Sequence, residues 1–515
     1  MRRIGIDVGG TNTDAVLIED GKVARAVKAP TSADVTTGIL EALAKLAETG
    51  LLRDKRIDAV MIGTTHFINA VVQRKSLSRV AALRLGMPAS ASLPPFCDWP
   101  ADLAELVRGG VWMVEGGHEY DGRPFMPLDR DAVTAAARDM KAKGLTAIAI
   151  SSIFSPLDPA HEHEAAAIVR AEIPDAVITC SSDLGRIGLL ERENAGLLNA
   201  ALTDLARETI AAFEKAIRDS RIDAPLFITQ NDGTVAEAHQ AMKLPVYSFA
   251  SGATNSMRGA AYLSGLDEAM VADVGGTTTD IGQLRNGFPR EANSVVKVGG
   301  VRTLFRMPDL VSIGLGGGSH VTLDPLAIGP VSVGYRLLQD GIAFGGGQLT
   351  TTDVAIASGL LPLGDKARVA HLDAATCGRV FAEAKRMVEE TVDRMKTEAG
   401  DVPLIAVGGG AFLIPDRIEG VSQVIRVAHG DCANAVGAAI AQVSGECDQI
   451  FRDLTRPDAI AAATAIAADR AAGSGADRAT LKTIETEDMP IAYLPGNSLR
   501  VRVRVVGDVA SEARG

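Results

Sequence analysis

Two copies of one phrase, DVGGTxTD, carry the residues best suited to chemistry. The first reads Asp7-Val8-Gly9-Gly10-Thr11-Asn12-Thr13-Asp14, the second Asp273-Val274-Gly275-Gly276-Thr277-Thr278-Thr279-Asp280. Each ends one apolar run and opens another: Ile4-Gly5-Ile6 and Ala15-Val16-Leu17-Ile18 flank the first, Met270-Val271-Ala272 and Ile281-Gly282 the second. That is the pattern of a β-hairpin with a glycine turn, used twice, and it points to internal duplication. Glycines let a backbone approach a phosphate closely, and successive turn N–H groups form an anion-binding concavity. Gly9, Gly10, Gly275 and Gly276 would donate amides, Thr11 and Thr277 hydroxyls, with Asn12 and Thr278 completing the turns. Asp7 and Asp273, at strand ends, are placed to hold a hydrated Mg²⁺. Asp14 and Asp280 sit across each hairpin, where they either position metal or water or stabilise the hairpin. Two such hairpins face to face would clamp a nucleoside triphosphate.

Other glycines sit where nucleotide chemistry could use them. Gly408-Gly409-Gly410 follows the buried strand Leu404-Ile405-Ala406-Val407 and is placed to lie under an adenosine. Gly316-Gly317-Gly318 and Gly345-Gly346-Gly347 are either loops near phosphates or lids. His66 follows Gly63-Thr64-Thr65 at an expected helix start, a site for an anion or carbonyl, and Asn69 lies one turn on. Asn231 and Asp232 end an expected strand and are candidates to face a cleft. His161 and His163 are two apart on an expected helix and point to different faces, so they do not form a chelate.

The elements that must position these groups alternate strand and helix. Helices are expected over 34–46, 190–217, 255–263, 432–443 and 459–477, and from Asp158 as N-cap with Pro159 as the first helical residue. Buried strands are expected at 59–62, 147–150, 176–179, 225–229 and 245–249, and a strand pair at 490–506 turns around Pro495-Gly496-Asn497. Leu499-Arg500-Val501-Arg502-Val503-Arg504-Val505 alternates strictly and reads as a half-exposed edge strand with arginine gatekeepers. The segments fall at 1–185, 186–455 and 456–515, the last a helix with a small β tail.

Composition bounds the partners. With 515 residues, two to four domains are expected. Aromatics make up only 4 % and the formal charge is −12 with no basic block, which argues against nucleic acid or an anionic membrane as the partner. Cys97, Cys180, Cys377, Cys432 and Cys447 form no CxxC pair, as in free thiols of a reducing cytosol. No apolar run reaches membrane-spanning length, and the chain passes from Met1-Arg2-Arg3 directly into a strand, leaving no room for a signal peptide. A cytoplasmic protein is expected.

With both hairpins and the triple glycine in view, the chain resembles the actin/hexokinase/Hsp70-type ATPases, an α/β fold of two ribonuclease-H-like lobes around a nucleotide cleft. Further phrases narrow the resemblance: Gly63-Thr64-Thr65-His66-Phe67-Ile68-Asn69-Ala70, Glu119-Tyr120-Asp121-Gly122 with Pro127-Leu128-Asp129, Asp158-Pro159-Ala160-His161-Glu162, Gln230-Asn231-Asp232-Gly233 and Ile313-Gly314-Leu315-Gly316-Gly317-Gly318-Ser319. Together these are similar to the hydantoinase A/oxoprolinase family over nearly the whole chain. Asp353 lies in Thr350-Thr351-Thr352-Asp353, which resembles a family TxTD phrase, and joins the substrate candidates.

The resemblance implies ATP and Mg²⁺ as cofactors and phosphorylation of an unreactive carbonyl oxygen. The substrate is then a cyclic amide such as a hydantoin or 5-oxoproline, or in some relatives a ketone that is carboxylated. A non-catalytic nucleotide-binding subunit is the third possibility. Asp7, Asp14, Asp273, Asp280 and His66 are the implied catalytic groups. The chain is shorter than typical members and has no part resembling the hydantoinase B component, so a second subunit is expected; homo-oligomers stay open. The family's SGPAGG-like phrase reads Ser251-Gly252-Ala253-Thr254-Asn255-Ser256 here, which puts the substrate in question.

Overall fold

The computed structural model describes residues 1–9, 12–30, 35–52, 56–184, 188–292, 296–304, 306–491 and 497–510. Gly10 and Thr11, and with them part of the first turn, lie outside the described residues, as do Asp34, Pro495 and Gly496.

Strands Arg2–Val8, Asn12–Glu19 and Lys22–Pro30 form an antiparallel meander, and Ala59–Thr64 and Leu226–Thr229 add in parallel beyond the first. The second sheet repeats this plan. Ala269–Val274, Thr279–Arg285 and Phe288–Pro289 form the meander, and Val402–Val407 and Val421–Arg426 add in parallel. The duplication is exact to the residue: Asp7 pairs with Asp14 and Val8 with Thr13, as Asp273 pairs with Asp280 and Val274 with Thr279. Parallel strands are covered on both faces and so read as continuous apolar runs, such as the fully buried Ala59–Thr64.

Two helices lie between the sheets. Ser251–Ser264 packs Met257, Ala260 and Ala261 on Val271, Ile405 and Val407 of the second sheet. Ala433–Ile440 packs Ala435, Val436 and Ala439 on Val16 and Ile18 of the first. They cross at glycines. A Cβ on Gly259 would lie 1.9 Å from the Ala433 carbonyl oxygen, one on Gly437 1.8 Å from that of Asn255, and one on Gly5 2.1 Å from that of Ala435. The small-residue sequence of these helices lets their backbones touch.

A third sheet is inserted between strands of the first. Arg108–Glu115, Val80–Met87, Ala147–Ser152 and Val177–Cys180 lie side by side, all parallel, and the helices Arg130–Ala142 and Ala160–Glu172 cover a face through Val133, Met140, Ala165 and Val169. The long helix Leu189–Asp219 contributes to two cores, its first half packing on this insertion and its second on the first sheet.

Several expectations change. The 245–249 stretch is a 3₁₀ turn, Pro245–Ser248, because proline starts it and the helix Ser251–Ser264 follows at once. That helix takes in the whole Ser251–Ser256 phrase. The helix expected over 432–443 ends at Ile440, and Gln442–Phe451 is a strand. Pro159, not Asp158, is the cap of helix Ala160–Glu172, and Asp158 instead accepts from the Ala160 amide at 2.9 Å.

The largest correction concerns the arginine strand. Leu499–Gly507 is flanked by Gln442–Phe451 and by Lys482–Pro490, which is the edge, and all three extend the first sheet. The chain returns to that sheet after finishing the second lobe, so boundaries at 185 and 455 cut across it. Arg502 and Arg504 are buried, and their guanidiniums meet Glu291, Glu446, Glu485 and Asp232 rather than solvent. Alternation here separates an apolar core face from a buried ionic one, a distinction the period alone does not carry.

Candidate functional site

Both hairpins close in the same way. The Gly9 amide donates to the Asn12 carbonyl at 3.1 Å and the Gly275 amide to the Thr278 carbonyl at 2.9 Å. Asn12 and Thr277 are exposed and Thr278 half-buried. Beside the turns, Asp7 and Asp14 are buried and Asp273 and Asp280 half-buried. Asp7 is 4 % exposed; its Oδ2 accepts from Asn434 Nδ2 at 2.7 Å, and its Oδ1 has no hydrogen-bond partner. Burial, reinforced by the carboxylates of Asp14 and Asp273, pushes Asp7 up to about 8 against the pull of Asn434 and Lys28. Asp273 is pushed up to about 6 by burial and Asp280, with Ser256 opposing. Asp7 of the first lobe therefore lies close enough to feel the leading aspartate of the second.

Asp14 and Asp280 differ in setting. Lys28, opposite Asp14 in the register, donates Nζ to Asp14 Oδ1 at 3.0 Å and to the Asp431 carbonyl at 2.6 Å. Burial raises Asp14 and Lys28 opposes it; burial also raises Asp280, against a hydrogen bond from Ser312. Asp14 thus ties the first hairpin to the segment leading into helix Ala433–Ile440.

Gly408, Gly409 and Gly410 come directly against the second hairpin. Gly408 has φ +86°, and a Cβ there would lie 2.5 Å from Asp273 Oδ1 and 2.4 Å from the Val274 carbonyl, so only glycine fits. The Gly410 amide donates to that carbonyl at 2.8 Å, while Gly409 has open space around its Cβ position. Gly316–Gly318 stitches the other side: the Gly317 and Gly318 amides donate to the carbonyls of Gly275 and Gly276 at 3.0 and 2.7 Å. Gly345–Gly347 instead folds onto Asp340, where a Cβ on Gly346 would strike the backbone at 2.1 Å.

The remaining candidates divide. His66 opens helix His66–Gln73, half-buried, and burial lowers its pKa; exposed Asn69 donates to Thr65 Oγ1 at 3.2 Å. Asn231 is a strut: its Nδ2 donates to the Val246 carbonyl at 3.0 Å and its Oδ1 accepts from the Ala250 amide at 2.7 Å, fixing the start of helix Ser251–Ser264. Asp232 accepts from the Thr234 amide and hydroxyl at 3.1 and 2.6 Å and pairs with Arg504 at 3.3 Å. Asp353, fully buried, accepts from the amides of Ala343 and Thr350 at 2.7 and 2.8 Å in a capping box. All three, expected to face substrate, are hydrogen-bonded within the fold. His161 stacks on His118 at 4.4 Å, away from His163.

Three polar groups at the site were not singled out from sequence: Asn434, Lys28 and Ser256. Lys28 had a signal, since a third strand in register would place it opposite Asp14. Asn434 and Ser256 sit among alanines and glycines on helices whose faces the sequence does not distinguish. Among the described residues no group of three or more His, Cys, Asp or Glu is arranged to hold a metal, and no helix is long and apolar enough to cross a membrane.

Two meander-plus-parallel sheets, each with a glycine-turn hairpin and joined through crossed helices, define the actin/hexokinase/Hsp70 type of fold. The model for the hydantoinase/oxoprolinase N-terminal region matches residues 3–173 and that for hydantoinase/oxoprolinase matches 192–365. The chain belongs to the hydantoinase/oxoprolinase family. It is 28 % identical over 391 residues to a caprolactamase subunit alpha of Pseudomonas jessenii, covering 70 % of this chain and 54 % of that protein. It is 27 % identical over 396 residues to an acetophenone carboxylase gamma subunit of Aromatoleum aromaticum, covering 70 % and 53 %. The chain thus spans about half the length of these curated relatives. Among solved structures, the ATP-dependent caprolactamase from Pseudomonas jessenii superposes with a TM-score of 0.79 at 20 % identity, over 99 % of this chain and 88 % of that one. A nucleotide-free acetone carboxylase gives 0.72 at 18 %, over 99 % and 89 %.

Proposed function

We propose that this chain is the ATP-using part of an enzyme that opens a cyclic amide by phosphorylating its carbonyl oxygen. The observation that carries the reading is the pair of leading aspartates, buried Asp7 and half-buried Asp273, one per lobe in identical register, each beside a glycine turn. Mg²⁺ prefers one or two carboxylates plus phosphate oxygens to an all-protein cage. The unpartnered Asp7 Oδ1 and the Asp273 carboxylate against Gly408 fit that preference. The amides of Gly276 and Thr277 would face phosphate, and the open space at Gly409 suits an adenosine.

An unstrained lactam is a poor electrophile. Moving the γ-phosphoryl from ATP to its oxygen releases ADP and gives a phosphorylated imidate; water then adds to the carbon, the ring C–N bond breaks to leave an amine and an acyl phosphate, and a second water hydrolyses the acyl phosphate to carboxylate and phosphate. The protein's share is positioning and charge stabilisation. The names of the caprolactamase and carboxylase relatives, each a subunit, support a separate partner for the later steps. The second reading, ATP-dependent carboxylation of a ketone, rests on the similarity to the acetophenone carboxylase subunit.

The test is phosphate release from Mg·ATP across hydantoin, 5-oxoproline, larger lactams, and ketones with bicarbonate. Stimulation by a lactam without bicarbonate is expected. Asp273→Asn should lose turnover by at least about a hundredfold while keeping its melting temperature. Normal turnover in that variant would remove the aspartate pair from the mechanism, and stimulation by ketones with bicarbonate alone would favour the second reading.

A further inference from the structure

A side chain 427 positions further along the chain holds Asp7 in place. Gly5 and Asp7 lie two apart on strand Arg2–Val8 and so face the same way. Helix Ala433–Ile440 packs on that face. It comes this close because Gly5 has no side chain: a Cβ there would lie 2.1 Å from the Ala435 carbonyl oxygen and 2.6 Å from the Ala439 backbone nitrogen. The contact brings Asn434, in the first turn of the helix, onto Asp7, and its Nδ2 donates to Asp7 Oδ2 at 2.7 Å. The orientation of the amide is set as well, since its Oδ1 accepts from the Ala435 backbone N–H at 2.8 Å. The other carboxylate oxygen, Asp7 Oδ1, is left without a partner. An acid bonded wholly within the fold has both oxygens engaged, as in Asp353, whose Oδ1 accepts from the Ala343 amide and whose Oδ2 accepts from the Thr350 amide and hydroxyl. Asp7 has one oxygen fixed and one held back.

We infer that Asn434 is a positioning residue for the proposed reaction: it occupies Oδ2 of Asp7 and thereby presents Oδ1 to the magnesium ion of Mg·ATP. Hydrogen bonds behind a metal ligand hold it at the angle its metal needs. A donor on a helix pinned against a strand does so with little play. The segment that carries Asn434 is tethered to both hairpins. The Gly408 amide donates to the Gly430 carbonyl at 2.9 Å, and Gly408 itself abuts Asp273, whose Oδ1 lies 2.5 Å from its Cβ position. Lys28 Nζ joins the Asp431 carbonyl and Asp14 Oδ1, at 2.6 and 3.0 Å. Residues 430–434 therefore bridge the two hairpins. The setting of Asp7 in the first lobe depends on where the glycine turn at 408–410 of the second lobe lies.

The inference rests on the reading of Asp7 as a magnesium ligand, and one experiment tells the two apart. AMPPNP binding to the full chain is measured by calorimetry with Mg²⁺, with Ca²⁺ and with EDTA. Mg²⁺ demands a near-ideal octahedron, whereas Ca²⁺ accepts flexible geometry, so a misplaced carboxylate oxygen hurts magnesium more than calcium. In Asn434→Ala the Kd with Mg²⁺ should rise by about 10–100-fold, the usual effect of losing a hydrogen bond behind a metal ligand. The Kd with Ca²⁺ should rise by less than about threefold, and that with EDTA should stay within about twofold. Asn434→Ser keeps a hydroxyl donor among the small residues of this helix. It should show the same order with a smaller loss, and it serves if the alanine variant folds poorly. An equal loss in all three conditions would make Asn434 a general support of the cleft, and unchanged magnesium affinity in a folded variant would leave Asp7 positioned without it; either result overturns the inference. Failure of the magnesium reading would show in the parent itself, as AMPPNP binding equally tight with Mg²⁺ and with EDTA, and would take the inference with it.

Discussion

Asp7 shows how a single buried acid links stability to function. Its folded pKa, about 8, lies far above the usual carboxylate value of 3.8, and Asp273 at about 6 shifts the same way. Between the ordinary value and these, the folded state holds protons that the unfolded chain has released, so stability falls as pH rises. With divalent metal chelated, urea midpoints should therefore decline from pH 5 to 8.5. Asp7→Asn should flatten much of that decline and gain on the order of a few kcal/mol at the alkaline end. Parallel profiles for parent and variant would show that Asp7 ionises freely. The two hairpins were legible because each motif contains its own turn and its own acid. Asn434 was not, because its partner Asp7 comes from a strand hundreds of positions away, and Ser256 was not, because the face its helix turns toward Asp273 is set by packing rather than by the small residues around it. The partners of Asp232 and Asp353 are hidden in the sequence for a related reason. A sequence displays a carboxylate but not the N–H groups it faces, and here those belong to a turn and a capping box.

Among the elements, the crossed helices set how the lobes meet. Gly437 sits where Ala433–Ile440 crosses Ser251–Ser264, and a methyl there must push aside the Asn255 backbone. Gly437→Ala should cost at least about 2–3 kcal/mol, since overpacking against backbone finds little room to relax. Gly409→Ala, with no atom near its Cβ position, should leave stability unchanged. Equal unfolding free energies for the two variants would contradict the close crossing. Elements with long, strongly periodic patterns were readable, as the helix Leu189–Asp219 and the strand Val402–Val407 show against expectations of 190–217 and 404–407. The 3₁₀ turn Pro245–Ser248 was not, because a short apolar run with a leading proline suits both forms. Strand Leu499–Gly507 was placed correctly but its surroundings were not, since burial of its arginines depends on carboxylates from four other segments.

At the scale of the whole molecule, those carboxylates reveal how the lobes are tied. The chain leaves the second sheet after Phe288–Pro289 and returns at Leu310–Ile313. On the way, the hairpin Val296–Val298 and Val301–Thr303 packs Val298 and Val301 against helix Leu189–Asp219. At its base, Glu291 and Arg306 enter an ionic cluster on the first sheet. Arg306 pairs with Glu291, Glu446 and Glu485, and Glu291 also pairs with Arg502 and Arg504. The segment is a strap from the second lobe onto the first, and its guanidinium is largely shielded from water. Removing one member of such a cluster leaves its partners desolvated and unpaired, which typically costs about 3–5 kcal/mol. Arg306→Met keeps much of the volume and removes the charge, so it isolates the electrostatic contribution. If the strap couples the lobes, calorimetry of Arg306→Met should show a lower melting temperature and a split or broadened transition, because the two sheets no longer unfold as one unit. A single sharp transition at the parent temperature would mean that the crossed helices alone hold the lobes together and that the cluster is a local feature of the first sheet.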